Sequence, residues 1–269
     1  MRPRIVTFLA PEVGAGRTTA AMALASTLTK GRDSSVVVID ATPKARCVSS
    51  RSACLTRWQQ HIKRHGATID HLTVYHVSSV KELTDIIEGK VDERLPSFAT
   101  ILIDTGAQAD DLALSVVQRS DILIAPFMDT TVARKISAVL EGIDIGDVPL
   151  YGLKCGDACK EAEHPDAVAA FKAGHVLLHG LPRSPLLANM SNGGHLLSMH
   201  IALNWKYARY PQTDPARKPL RDFIKIKSEI GCLANEIGLA LDGYELRRRE
   251  PFQRQEPISV YNPSGPIPT

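Results

Sequence analysis

The sequence predicts an α/β domain: a mostly parallel, twisted sheet of about seven strands with helices on both faces. Three observations carry that expectation. Apolar, β-branched runs of strand length alternate with amphipathic segments along the chain. Two of those runs, Val36-Val37-Val38-Ile39 and Ile101-Leu102-Ile103, are continuously apolar, as strands covered on both faces are. Between the first run and the first helix lies a glycine-containing turn, Pro11-Glu12-Val13-Gly14-Ala15-Gly16-Arg17-Thr18-Thr19.

Taken in order, the strands are expected at Ile5–Ala10, Val36–Asp40, Leu72–His76, Thr100–Asp104, Ile122–Pro126, Val148–Lys154 and His175–Leu178. The helices between them are expected at Thr18–Thr29, which is rich in alanine, and at Cys54–His65, which follows a basic loop. Ser79–Glu88 opens with Ser79 and Glu82 at the spacing of a capping box. Asp110–Arg119, Thr130–Gly142 and Asp166–Ala173 complete the alternating part. After Pro182 the alternation weakens, leaving two helices, Leu196–Leu203 and Leu220–Leu241, parted by the proline-punctuated Tyr210–Pro219. From Gly243 onward the chain holds Arg247-Arg248-Arg249 and five prolines with little to bury. The expected organisation is one domain over 1–242 and a disordered, basic, proline-rich tail over 243–269.

A chain of 269 residues with 44% hydrophobic content can bury one substantial core. Its formal net charge of +3 makes any nucleic-acid surface a local patch. No apolar stretch approaches the roughly 18 residues of a membrane span, and the N-terminus lacks a small-residue cleavage site, which argues against a signal peptide. Five scattered cysteines, an odd number, suit a reducing cytoplasm better than a disulfide framework. The expected setting is therefore cytoplasmic, without a membrane partner.

The chemistry is expected at the carboxyl ends of the central strands, where open α/β sheets place their ligands. A phosphate-binding loop reads G-x-x-x-x-G-K-[ST]. Here Gly14, Ala15 and Gly16 provide tight turns whose amides can face phosphate oxygens. Arg17 occupies the lysine position, Pro11 the first glycine position, and Glu12 adds a negative charge. Thr18 is placed to offer a hydroxyl to Mg²⁺ and Thr19 to a phosphate. Asp40 ends the second strand, and Asp104 ends the fourth after an apolar run, the position of an aspartate that holds Mg²⁺ through water. Each piece has a plainer reading, as a structural turn or a helix cap; their occurrence in order favours a nucleotide site for ATP or ADP with Mg²⁺.

The order Val-Gly-Ala-Gly-Arg-Thr-Thr, Val-Val-Val-Ile-Asp-Ala-Thr-Pro-Lys and Ile-Leu-Ile-Asp-Thr-Gly resembles the ParA/MinD family of deviant-Walker ATPases. Asp121-Ile122-Leu123-Ile124-Ala125-Pro126 is similar to the strand that follows Walker B in that family, and the resemblance spans residues 4–241. Leu55-Thr56-Arg57-Trp58 resembles an element of one subgroup, the virulence C operon ATPases of T-DNA transfer. The resemblance implies that Asp40 orients the attacking water, that Asp104 is the Walker B aspartate, and that a nucleotide-sandwich homodimer forms. The chain departs from the pattern at the residues that handle the γ-phosphate. Glu12 stands where the family has its signature lysine, Arg17 replaces the clamping lysine, and Val13 replaces a glycine. Thr42 and Lys44 replace the second aspartate and the glutamine of D-x-D-P-Q. Arginine keeps the charge but brings a planar fork, so Arg17 is expected to contact a phosphate oxygen with altered geometry. A glutamate near the γ-phosphate repels that group, so hydrolysis is expected to be weak or absent.

Two basic zones suggest a DNA surface. Lys44, Arg46, Arg51, Arg57, Lys63 and Arg64 fall in a stretch without an acidic residue. Lys206, Arg209, Arg221 and Lys225 are interleaved or flanked by Trp205, Tyr207 and Tyr210. Such clusters supply salt-dependent phosphate contacts, and aromatics can stack on bases; the alternative is a solvated helix face with core aromatics. Cys155-x3-Cys159 is expected to be a thiol pair rather than a metal site, and His175, His179 and His195 to be structural, with no carboxylate or serine partner apparent. The reading is a ParA-like, nucleotide-binding, DNA-associated protein of plasmid partitioning or conjugative DNA transfer. Its expected partners are DNA and a relaxase or partition protein. The alternatives are a non-enzymatic adaptor on the same fold and an active ATPase that positions protein cargo.

Overall fold

In the computed structural model the described residues are 2–12, 14–29, 35–42, 54–64, 71–91, 100–106, 111–159, 165–244 and 246. Among them, eight strands form one sheet: β1 (Arg4–Phe8), β2 (Val36–Ala41), β3 (Leu72–His76), β4 (Thr100–Thr105), β5 (Ile122–Phe127), β6 (Leu150–Gly156), β7 (His175–Val176) and β8 (Leu181–Pro182). Their order is β3-β2-β4-β1-β5-β6-β7, with β8 also on β6, and every pairing is parallel.

Alternation along each strand divides the core in two. Val6, Phe8, Val36, Val38, Leu102, Ile122 and Ile124 face one side. There they meet α1 (Arg17–Leu28), α2 (Cys54–Arg64), α7 (Pro185–Ala188), α8 (Met190–Gly193), α9 (Leu196–Tyr207) and α10 (Lys218–Leu241). Ile5, Val37, Ile39, Ile101 and Ile103 face the other side, against α3 (Val80–Ile87) and α4 (Asp111–Arg119). Leu123, Ala125 and Phe127 continue that side against α5 (Thr130–Glu141) and α6 (Pro165–Ala170). The expected architecture is therefore present, with one strand more than the sequence suggests.

Local chemistry explains where the elements begin and end. Helix α1 is buried from Ala20 to Ser26, which its run of alanines permits by letting the backbone lie close to the sheet and to its neighbours. Ser79 caps α3 by accepting a hydrogen bond from Glu82 N, while the Glu82 carboxylate accepts from Ser78 N rather than closing the box on Ser79. In α2, Leu55, Trp58 and Ile62 point inward, and Trp58 Nε1 donates to Gly194 O at 3.0 Å.

The strand expected over His175–Leu178 is cut to two residues. Leu178 N and His179 N donate to the Glu236 carboxylate of α10 at 2.8 and 3.1 Å, so they turn towards a side chain instead of extending the strand. Beyond it, α7 and α8 are single turns too short to show a periodic pattern. Helices α9 and α10 are longer than expected at one end each, reaching Tyr207 and beginning at Lys218. Apart from 243, 244 and 246, the expected tail over 243–269 lies outside the described residues.

Candidate nucleotide site

The glycine turn connects β1 to α1. Gly14 and Gly16 have φ of 96° and 104°, in the left-handed region that glycine tolerates best. Gly16 is fixed twice over, since a Cβ there would stand 3.0 Å from Cys155 Sγ under the turn. Gly16 caps α1 without a side-chain hydrogen bond, and Ala20 N closes the first helical bond on Gly16 O at 2.8 Å. The first amides of α1 are thus left at the mouth of the turn, the arrangement that attracts anions.

Parallel register sets the acidic groups beside this turn. Phe8, Asp104 and Asp40 are Cα partners across β1, β4 and β2, and His76 of β3 is the next in the row. Asp40 and Asp104 are both 3% exposed. Asp40 Oδ1 accepts from Thr42 N at 3.1 Å, and its Oδ2 lies 3.5 Å from His76 Nδ1. Thr18 donates its hydroxyl to Asp104 Oδ2. Asp104 Oδ1 is buried without a hydrogen bond; its cationic neighbour is Arg17, whose Nε is 3.9 Å away.

Arg17 therefore turns towards the sheet. Its Nη1 donates to Thr105 O, and its side chain is only 11% exposed. Thr105 in turn donates its hydroxyl to Phe8 O at 2.9 Å, tying the ends of β4 and β1 together. Burial pushes the Asp104 carboxyl up to about 6, against the opposing pull of the Arg17 charge and the Thr18 hydrogen bond. Burial also lowers the Arg17 pKa, with Asp104 and Asp40 acting the other way.

Glu12 does not face the turn alone, because Lys135 of α5 donates to its carboxylate. Both side chains are partly exposed, so the pair does little for stability but cancels a charge at the entrance. Val13 and Lys44 lie outside the described residues. On the other flank, a cavity of about 520 Å³ is lined by Gly14, Gly16 and Thr19 of the turn, Thr130 after β5, Cys155 of β6 and Pro182 of β8. That size and its place at strand carboxyl ends suit a small-molecule ligand. An oxygen-preferring cation such as Mg²⁺ has a matching donor set in the Thr18 hydroxyl and the Asp104 carboxylate, whose Oδ1 lacks a hydrogen bond.

With the geometry in place, comparison with known proteins identifies the lineage. Residues 3–141, more than half of the chain, match the VirC1 protein family. The chain belongs to that family. No individual curated protein matches this VirC1-family chain in sequence. Its fold is similar to the MinC:MinD cell division protein complex of Aquifex aeolicus, with a TM-score of 0.54, 15% identity and coverage of 92% of this chain and 99% of that one. The ParA family ATPase of Chlorobium tepidum TLS gives a TM-score of 0.51 at 11% identity, over 86% of this chain and 98% of that one. The MinD cell division protein of Aquifex aeolicus gives 0.52 at 16%, covering 91% and 99%. At such identities the likeness is one of fold.

The other expected site residues are dispersed. Arg57, Lys63 and Arg64 project from the exposed side of α2, while Lys44, Arg46 and Arg51 lie outside the described residues. Lys206 and Arg209 sit at the end of α9 over the rings of Tyr207 and Tyr210, at 5.4 and 5.0 Å, and Arg221 and Lys225 are exposed on α10. Trp205 is 81% exposed and is not a core aromatic. The described residues of both zones belong to the same helical layer, since residues of α2, α9 and α10 share one core. Cys155 is buried, which raises its thiol pKa, and no metal-binding group of His, Cys, Asp and Glu occurs among the described residues. His195 is buried against Thr29 and caps α9. His179, expected to have no carboxylate partner, has one in Glu229 at 3.1 Å; the two are 50 residues apart, a distance no sequence pattern bridges.

His76 and Lys135 were not among the expected site residues. His76 is recognisable only once β3 is known to lie beside β2, and Lys135 only once α5 is known to bring it to Glu12.

Proposed function

We propose that this VirC1-family chain is a ParA-like protein that binds ATP or ADP, associates with DNA, and hydrolyses ATP weakly or not at all. It would act in plasmid partitioning or as an accessory to conjugative DNA transfer. The observation that carries the proposal is the assembly at the carboxyl ends of β1, β4 and β2: a left-handed glycine turn opening a helix, with Asp104 and Asp40 in adjacent register. Turn amides would hold the phosphates, Thr19 would add a hydroxyl, and the cavity beside them would take the nucleoside. Bound Mg²⁺ would neutralise phosphate charge, with Thr18 and Asp104 as its residues.

Weak hydrolysis follows from the positive groups. Arg17 is committed to Asp104 and Thr105, and Lys135 to Glu12. Neither is left to stabilise charge that develops on a transferring phosphoryl group, a loss that can cost orders of magnitude in rate. The same commitments favour the adaptor as the second reading, in which bound nucleotide sets the conformation that DNA or a relaxase recognises. A turnover assay with ATP and Mg²⁺ tests the reading. The expected rate is barely above background; robust hydrolysis abolished by Asp40→Ala would overturn it.

A further inference from the structure

Two buried carboxylates side by side at a sheet end stay ionised more readily when positive charge compensates them, because desolvating a charged carboxylate without a partner is strongly unfavourable. Asp40 and Asp104 are such a pair, in direct register on adjacent strands and each 3% exposed. Among the described residues, Arg17 lies beside Asp104 and the His76 ring lies beside Asp40. Arg17 is held in that position from two directions. Its Nη1 donates to Thr105 O, and its Nε faces Asp104 Oδ1, the one oxygen of that carboxylate with no hydrogen bond.

A lysine at this position would be a compact ammonium on a flexible stem, free to reach outward to phosphate and leave the carboxylates to a metal ion. The planar guanidinium can donate sideways and forward at once, and it stays protonated in a buried setting. Here it is turned inward, and its position next to Thr18 puts it within the same small group as the prospective Mg²⁺ residues.

We propose that Arg17 is a built-in counter-cation for Asp104 and Asp40, and that nucleotide binding by this chain is consequently independent of divalent metal. The proposal rests on the nucleotide-binding reading above and deepens it. Mg²⁺ can still accompany a bound nucleotide, but the carboxylates do not need it. Phosphate recognition then falls to the turn amides and the Thr19 hydroxyl, which carry no metal requirement.

The test is binding of a fluorescent ADP analogue to the full chain, in excess Mg²⁺ and in excess EDTA. For the unaltered protein the Kd should differ by less than about threefold between the two conditions, whereas Arg17→Lys should lose about tenfold or more in EDTA. A second readout needs no nucleotide. Mg²⁺ alone should raise the melting temperature of Arg17→Ala, whose carboxylates lack the guanidinium, and leave that of the unaltered protein unchanged. Binding by the unaltered protein only when Mg²⁺ is present would overturn the inference while the nucleotide reading stands. So would a Mg²⁺-induced rise in melting temperature equal to that of Arg17→Ala. Binding in neither condition would overturn the nucleotide reading and this inference with it. The EDTA arm on the unaltered protein decides the matter even if a variant fails to fold.

Discussion

At Gly16 the conformational and steric demands coincide. Its φ of 104° penalises any side chain, and Cys155 Sγ occupies the space a Cβ would enter. Gly16→Ala should lower stability by about 1–2 kcal/mol from the left-handed backbone alone, read as a shift in the denaturant midpoint, and should weaken nucleotide binding. An unchanged midpoint would mean that the turn is not held as described. The places of the turn glycines, Thr18, Asp40 and Asp104, in the turn, at the helix start and at the strand ends, were legible in the sequence because they reflect local chain geometry. The direction of the Arg17 side chain was not legible. It depends on Thr105 O and Asp104, which are 88 and 87 residues away and come close only through the β1–β4 pairing.

Among the elements, α2 shows what a short motif does. Leu55 and Trp58 of Leu55-Thr56-Arg57-Trp58 are buried, while Thr56 and Arg57 face outward. The motif is thus an anchor with one exposed cation, and Trp58 Nε1 fixes it to Gly194 O. Gly194 has φ of 78°, and a Cβ there would meet the His61 ring at 2.8 Å, so the anchor point is shaped to the helix. Trp58→Ala should cost about 3–5 kcal/mol, the range for truncating a large core aromatic. Chemical denaturation should register it; a loss below about 1 kcal/mol would contradict the anchoring role. The strands and long helices were legible because burial on both faces or on one imposes a period. The turn-length helices α7 and α8 and the pairs β7 and β8 were not, since two to four residues carry no period and Glu236 of α10 decides where the β7 segment leaves the sheet.

For the molecule as a whole, the proposed function assigns two tasks to two places. Nucleotide binding would fall to the strand ends, and DNA contact to the exposed cations of α2, α9 and α10, which lie in one helical layer. Replacing Lys206, Arg209, Arg221 and Lys225 together with alanine should weaken duplex DNA binding. It should also reduce the slope of log affinity against log salt by about 0.9 for every DNA phosphate that the altered surface no longer neutralises. Nucleotide affinity should be unchanged. Gel shifts across a salt series would show both, and an absence of duplex binding by the unaltered chain at low salt would remove the DNA association.

The central claim is that nucleotide is a ligand of this chain and not its fuel. Calorimetric titration with ATP and Mg²⁺, comparing the unaltered chain with one carrying both Glu12→Lys and Arg17→Lys, tests it most directly. The account predicts saturable binding by the unaltered chain with ATP recovered intact, and a continuing heat of hydrolysis only in the double variant. A sustained heat of hydrolysis from the unaltered chain, or no binding heat at all, would contradict it.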